Sequence, residues 1–112
     1  MNHYALHVAG ARVVVAELII DQATEKKINT KHQLTAAEVR EAVLYANDTV
    51  AEWQDHPEHG TRLVVRGTTY LKRPVIAYMT PLNENDPKEG TFDLKTAMTD
   101  PDWGSSTGLS QA

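Results

Sequence analysis

From Arg12 to Ile20 the chain is dominated by Val, Ile and Leu, which predicts a buried strand. Upstream, Tyr4, Leu6 and Val8 alternate with their neighbours, and Gly10 separates that alternation from the run that follows. The first segment is therefore read as an extension of the strand or as an edge strand of its own. At Asp21 the period changes. Asp21 suits the N-cap of a short helix reaching about Thr30, whose apolar stripe is thin, essentially Ala23 and Ile28. A second helix is signalled by the capping-box spacing Thr35-x-x-Glu38. Ala36, Val39, Ala42, Val43 and Ala46 then recur on one helical face until Asn47-Asp48. Lys31-His32 falls in the bend between the two helices.

Beyond Asn47-Asp48 the period returns to two. Thr49 to Trp53 reads as a strand, and His56 to Gly60 as a turn. Over Arg62 to Thr69, Leu63 and Val65 share one face while Arg62, Val64 and Arg66 share the other. Tyr70 to Arg73 is short enough for a hairpin into a strand from Pro74 to Pro81. A polar loop, Asn83 to Gly90, precedes a last strand from Thr91 to Met98. The pattern predicts an α+β domain over residues 1–99. Its order is strand, two helices, then an antiparallel meander of three to four strands, with the helices on one face of the sheet. Residues 100–112, with the linker-like Gly104 to Gly108, are expected to form a flexible tail.

Composition narrows the chemistry. The 112 residues include no cysteine, which excludes disulfides, thiolate metal sites and a cysteine nucleophile. No apolar run is long enough for a membrane span, and Arg12 and Glu17 interrupt the only stretch resembling a signal peptide. A cytoplasmic protein without membrane contact is expected. His56-Pro57-Glu58-His59 lacks further ligands nearby, so no metal and no cofactor is expected. The formal net charge is −4, yet Arg62, Arg66, Lys72 and Arg73 occupy a stretch free of acids. One basic face on an acidic molecule is the expectation.

Three motifs in order carry a resemblance. They are Lys31-His32-Gln33-Leu34-Thr35-Ala36-Ala37-Glu38, then Arg62-Leu63-Val64-Val65-Arg66-Gly67-Thr68-Thr69, then Lys72-Arg73-Pro74-Val75-Ile76. Together, over about Val15 to Met98, they resemble the BrnT-type branch of the RelE superfamily, the small ribonuclease toxins of type II toxin–antitoxin systems. That family has a Gly after the Lys-His pair where this chain has Gln33. Its Gly-Arg hairpin and following apolar strand are similar to Lys72-Arg73-Pro74-Val75-Ile76 here. It has a Ser/Thr-Ala-Arg element where this chain has Thr96-Ala97-Met98.

The resemblance implies a RelE-like fold and a metal-independent endoribonuclease that cleaves RNA by 2′-hydroxyl attack, held inactive by a cognate antitoxin protein. Homo-oligomerisation is left open. Such chemistry needs a proton acceptor, a proton donor and cations facing the phosphorane. His32 is the candidate acid or base, with Lys31, Arg62 and Arg66 as the catalytic cations. Tyr70, Lys72 and Arg73 are the substrate-binding candidates, with Tyr70 suited to stacking on a base. The scheme requires Arg62 and Arg66 to meet the Lys31-His32 bend over one anion pocket.

Each residue also has a plainer role. His32 suits a helix C-terminus, Lys31 a solvated surface, Arg62 and Arg66 the solubility of an open sheet face, and Tyr70 packing. With Met98 at the family's arginine position, the alternative is a catalytically inactive RelE-like module that binds protein or nucleic acid.

Overall fold

The alternation of Val75, Ala77 and Met79 with Ile76 and Tyr78 sets the central strand of a five-stranded sheet in the computed structural model, which describes residues 4–8, 11–58, 60–82 and 90–100. The described elements begin with β1 (Tyr4–Val8), β2 (Ala11–Val15) and β3 (Glu17–Ile19). Helices α1 (Gln22–His32) and α2 (Ala36–Arg40) follow, and α2 runs on as a π-turn over Glu41–Tyr45. Strands β4 (Val50–His56), β5 (Gly60–Thr68), β6 (Pro74–Pro81) and β7 (Thr91–Thr99) complete the set. The order across the sheet is β3-β7-β6-β5-β4. The α+β class is as the pattern predicts.

The sheet is mixed rather than a simple antiparallel meander. Strands β4 to β7 pair antiparallel in sequence order, but β3 adds to the far edge parallel to β7, with Leu18 opposite Phe92. The apolar run from Arg12 to Ile20 is also two strands. Ala16 and Glu17 both donate their N–H to the carbonyl of Gly90, at 2.8 and 3.0 Å, which breaks the ladder between them. Strand β2 pairs back on β1 in a separate hairpin, and β1 lies beside β4.

Side chains alternate as period two demands. Leu63, Val65, Val75, Ala77, Met79, Phe92, Leu94 and Ala97 are buried together with Ile28, Leu34, Val39, Ala42 and Val43 of the helical layer. Gly67 in β5 makes that packing close. A Cβ there would run into the carbonyl oxygen of Ala42 and stand 3.0 Å from Thr49 Oγ1. The opposite face of the sheet therefore carries Arg62, Val64, Arg66, Ile76 and Tyr78. A bulge in β7 places Lys95 outside the ladder, and its carbonyl accepts a 2.8 Å hydrogen bond from Lys27 Nζ of α1.

The polar loop before Gly90 and the tail beyond Asp100 fall outside the described residues, as does His59. Asp100 itself is buried. Its N–H donates to the Pro74 carbonyl at 3.0 Å, continuing the β6–β7 ladder one residue past Thr99.

Candidate functional site

The bend between the helices is built by two caps. Helix α1 runs two residues further than the sequence pattern indicates, so Lys31 and His32 lie in its last turn rather than beyond it. Cations there suit the unpaired carbonyls of a helix C-terminus. The reversal is made by Gln33 at φ 55°, in the left-handed region. It lets Leu34 reach back with its N–H to the Ile28 carbonyl at 3.2 Å and bury its side chain fully. Thr35 then starts α2 with the expected capping box. Its Oγ1 accepts from the Glu38 N–H at 3.1 Å, while its own N–H donates to Glu38 Oε1 at 3.0 Å.

The second half of this corner comes from the β5–β6 hairpin. Thr69 and Arg73 close it through the Thr69 N–H to Arg73 carbonyl bond of 2.9 Å, with Lys72 at φ 69°. Arg73 Nη1 crosses to the bend, donating to the Gln33 carbonyl at 3.1 Å and to Glu38 Oε2 at 2.6 Å. One guanidinium thus ties Lys31-His32-Gln33 to Lys72-Arg73. Lys31 and Lys72 are exposed, and neither has an ion-pair partner among the described residues. The half-buried His32 makes no side-chain hydrogen bond among them.

Arg62 and Arg66 do not join this corner, so they do not meet the Lys31-His32 bend over one anion pocket as the sequence reading requires. Both stand on the sheet face turned away from the helices, because Leu63, Val65 and Gly67 take the positions facing them. There Arg62 stacks over the Tyr78 ring, 4.4 Å from its centroid, and donates to Gln54 Oε1 at 2.8 Å. Arg66 is held by Asp100 at 3.1 Å and Glu52 at 3.6 Å. A guanidinium already flanked by two carboxylates is poorly placed to attract a phosphate. Met98 sits on this same face, opposite Ile76.

Tyr70 is exposed at the hairpin tip, and its backbone N–H donates to Glu41 Oε1 at 3.1 Å. Together with Lys72 it lines a cleft between the hairpin and the π-turn, whose other wall includes Tyr45, Asn47 and Asp48. Sequence reasoning missed Tyr45 and the dual role of Glu38 as cap and Arg73 partner. The only signal for Tyr45 was an aromatic residue falling outside the apolar stripe just before the helix stop. Among the described residues no group of three or more His, Asp and Glu is arranged to hold a metal ion. No helix among them is long and apolar enough to cross a membrane.

Burial pushes the Glu38 carboxyl up, but the Thr35 N–H and the Arg73 hydrogen bond and charge outweigh it and hold it below its ordinary value. The Thr24 N–H, 2.7 Å from Asp21 Oδ1, likewise lowers Asp21 at the start of α1. A carboxyl lowered in the folded state binds fewer protons than in the unfolded chain. Its stabilisation is complete above the ordinary carboxylate range and is lost as pH falls through the lower folded-state value. Urea midpoints followed across the acid range should therefore fall with pH, and Glu38→Gln should flatten that fall.

Compared with family models, curated proteins and solved structures, the chain matches none.

Proposed function

We propose that this chain is a divergent RelE/BrnT-like domain that binds single-stranded RNA at the corner where the interhelical bend meets the β5–β6 hairpin, without cutting it. The observation that carries this reading is the Arg73 guanidinium on the Gln33 carbonyl, which joins two basic dipeptides of separate elements. Lys31 and Lys72 supply exposed point charges for phosphate, and Tyr70 supplies a ring for a base. Cleavage is not favoured, because Arg62 and Arg66 belong to another face and Arg73 is neutralised by Glu38. Gln33, where the family has a glycine, holds φ 55°, a conformation that glycine adopts freely.

One observation favours a second reading. His32 lies in the same short segment as the carbonyl that Arg73 grips, so a proton-transfer group and a guanidinium do share this corner. On that reading the chain is an endoribonuclease toxin with a cognate antitoxin.

Incubating labelled single-stranded RNA with the purified protein tests both. The proposal expects a retarded, intact RNA, with the same outcome for His32→Ala. RNA fragments that disappear with His32→Ala, a loss of roughly 10²–10⁴-fold in rate for a proton-transfer group, would replace it with the toxin reading. Neither retardation nor cleavage would remove both.

A further inference from the structure

The cleft beside the corner has a composition of its own. It measures about 330 Å³ and opens between the end of the π-turn and the hairpin. That is within the range of small-ligand sites. Its walls carry two tyrosines from different elements, Tyr45 and Tyr70, which are 46% and 65% exposed. Aromatic side chains this exposed have little part in the core, and here a pair of them lines one opening.

The local backbone is arranged around that opening. A helix continuing as a π-turn is uncommon and is often found at functional positions. Here it buries Ala42, Val43 and Leu44 in succession and turns Tyr45 out to the cleft. Thr49 fixes its end by donating to the carbonyls of Ala42 and Ala46, at 2.7 and 3.2 Å. Asp48 fixes the facing strand by accepting from the Thr68 N–H at 3.3 Å and its hydroxyl at 2.8 Å. On the other wall Lys72 holds φ 69°, a conformation that glycine adopts freely and lysine does not. A lysine at a glycine-favouring position, projecting at the rim of a cleft lined by tyrosines, gives the site a cation next to its aromatic rings.

We propose that this cleft is a nucleobase site, in which one base of a single-stranded RNA stacks on Tyr70 and Tyr45, with the adjoining phosphate on Lys72. The exposed Asn47 amide, with both donor and acceptor, stands where a base edge would be read. The assignment rests on the RNA-binding reading above and gives it a register: the base sits in the cleft and the backbone runs toward Lys31.

The test uses a fluorescein-labelled ten-residue oligoadenylate and the full chain. Tyr45→Ala and Tyr70→Ala should each weaken binding by roughly 5- to 150-fold, the range of one base–aromatic stack, whereas the phenylalanine variants should bind as the parent does. Lys72→Gly separates the site from the fold. It should weaken binding while leaving the thermal midpoint equal or higher, because glycine relieves the left-handed backbone. If the parent binds RNA but both tyrosine-to-alanine variants bind equally well, the nucleobase site is wrong and RNA binding stands. If the parent does not bind, both are wrong. A Lys72→Gly variant that loses stability and affinity together would assign Lys72 to the fold and overturn its role at the phosphate.

Discussion

Gly67→Ala is expected to destabilise the protein by about 3 kcal/mol, the upper part of the usual range for forcing extra volume into a packed interior. Gly67 lies in β5 on the face toward the helices, and the space its Cβ would need is occupied by the backbone carbonyl of Ala42. That carbonyl has little freedom to retreat, since Thr49 Oγ1 donates to it at 2.7 Å. Relief would have to come from shifting the whole π-turn off the sheet. For a chain of this size each kcal/mol is roughly 4–8 °C in thermal midpoint, so calorimetry reads the effect directly. Gly60 is the control. Nothing lies within 4 Å of a Cβ there, and its φ of +72° leaves only backbone strain, about 1–2 kcal/mol. Equal losses for the two substitutions would contradict the close packing described here.

Leu34→Ala is expected to cost a similar amount, about 2–5 kcal/mol. Leu34 is fully buried although it sits in a three-residue connection between helices. Its burial follows from the left-handed turn at Gln33, which brings the chain back over α1 and lets the Leu34 N–H reach Ile28. Truncation would leave a cavity under the bend and free the Gln33 carbonyl that Arg73 grips. Urea unfolding should show the loss. Leu71→Ala, at a side chain 85% exposed on the hairpin, should stay within about 0.5 kcal/mol of the parent. A Leu34 variant as stable as the Leu71 variant would mean that the bend is not anchored by its apolar residue.

Local periodicity made the elements legible and left their assembly obscure. Period two in Leu63-Val64-Val65 and Val75-Ile76-Ala77 reports which side of the sheet each residue takes, so β5 and β6 emerge nearly as read. Asp21 and the Thr35/Glu38 pair act through hydrogen bonds spanning three residues, which is why both helix starts were visible. The parallel docking of β3 on β7 joins Leu18 to Phe92 across most of the chain, and nothing local encodes it. The break at Ala16 depends on the Gly90 carbonyl for the same reason.

The site was legible to the same extent. Strand parity showed that Arg62 and Arg66 share a face, but not that the face is opposite the helices, because α1 and α2 select it by packing. From the sequence Arg73 reads as a substrate ligand, whereas its partner Glu38, also the cap of α2, lies 35 positions away. Gln33 and Lys72 concealed their backbone conformations behind residue types that seldom adopt positive φ.

Salt dependence of RNA binding reports whether Lys31 and Lys72 contact phosphate. For single strands log K falls with log salt by about 0.7 per neutralised phosphate. The parent should bind measurably, and the slope should be shallower by about 1.4 in the Lys31→Ala/Lys72→Ala double variant, with Arg62→Ala and Arg66→Ala leaving it unchanged. A slope that the double variant leaves intact, or one that collapses with Arg62 and Arg66 instead, would move the RNA to the sheet face that carries Arg62 and Arg66 and rule out the corner.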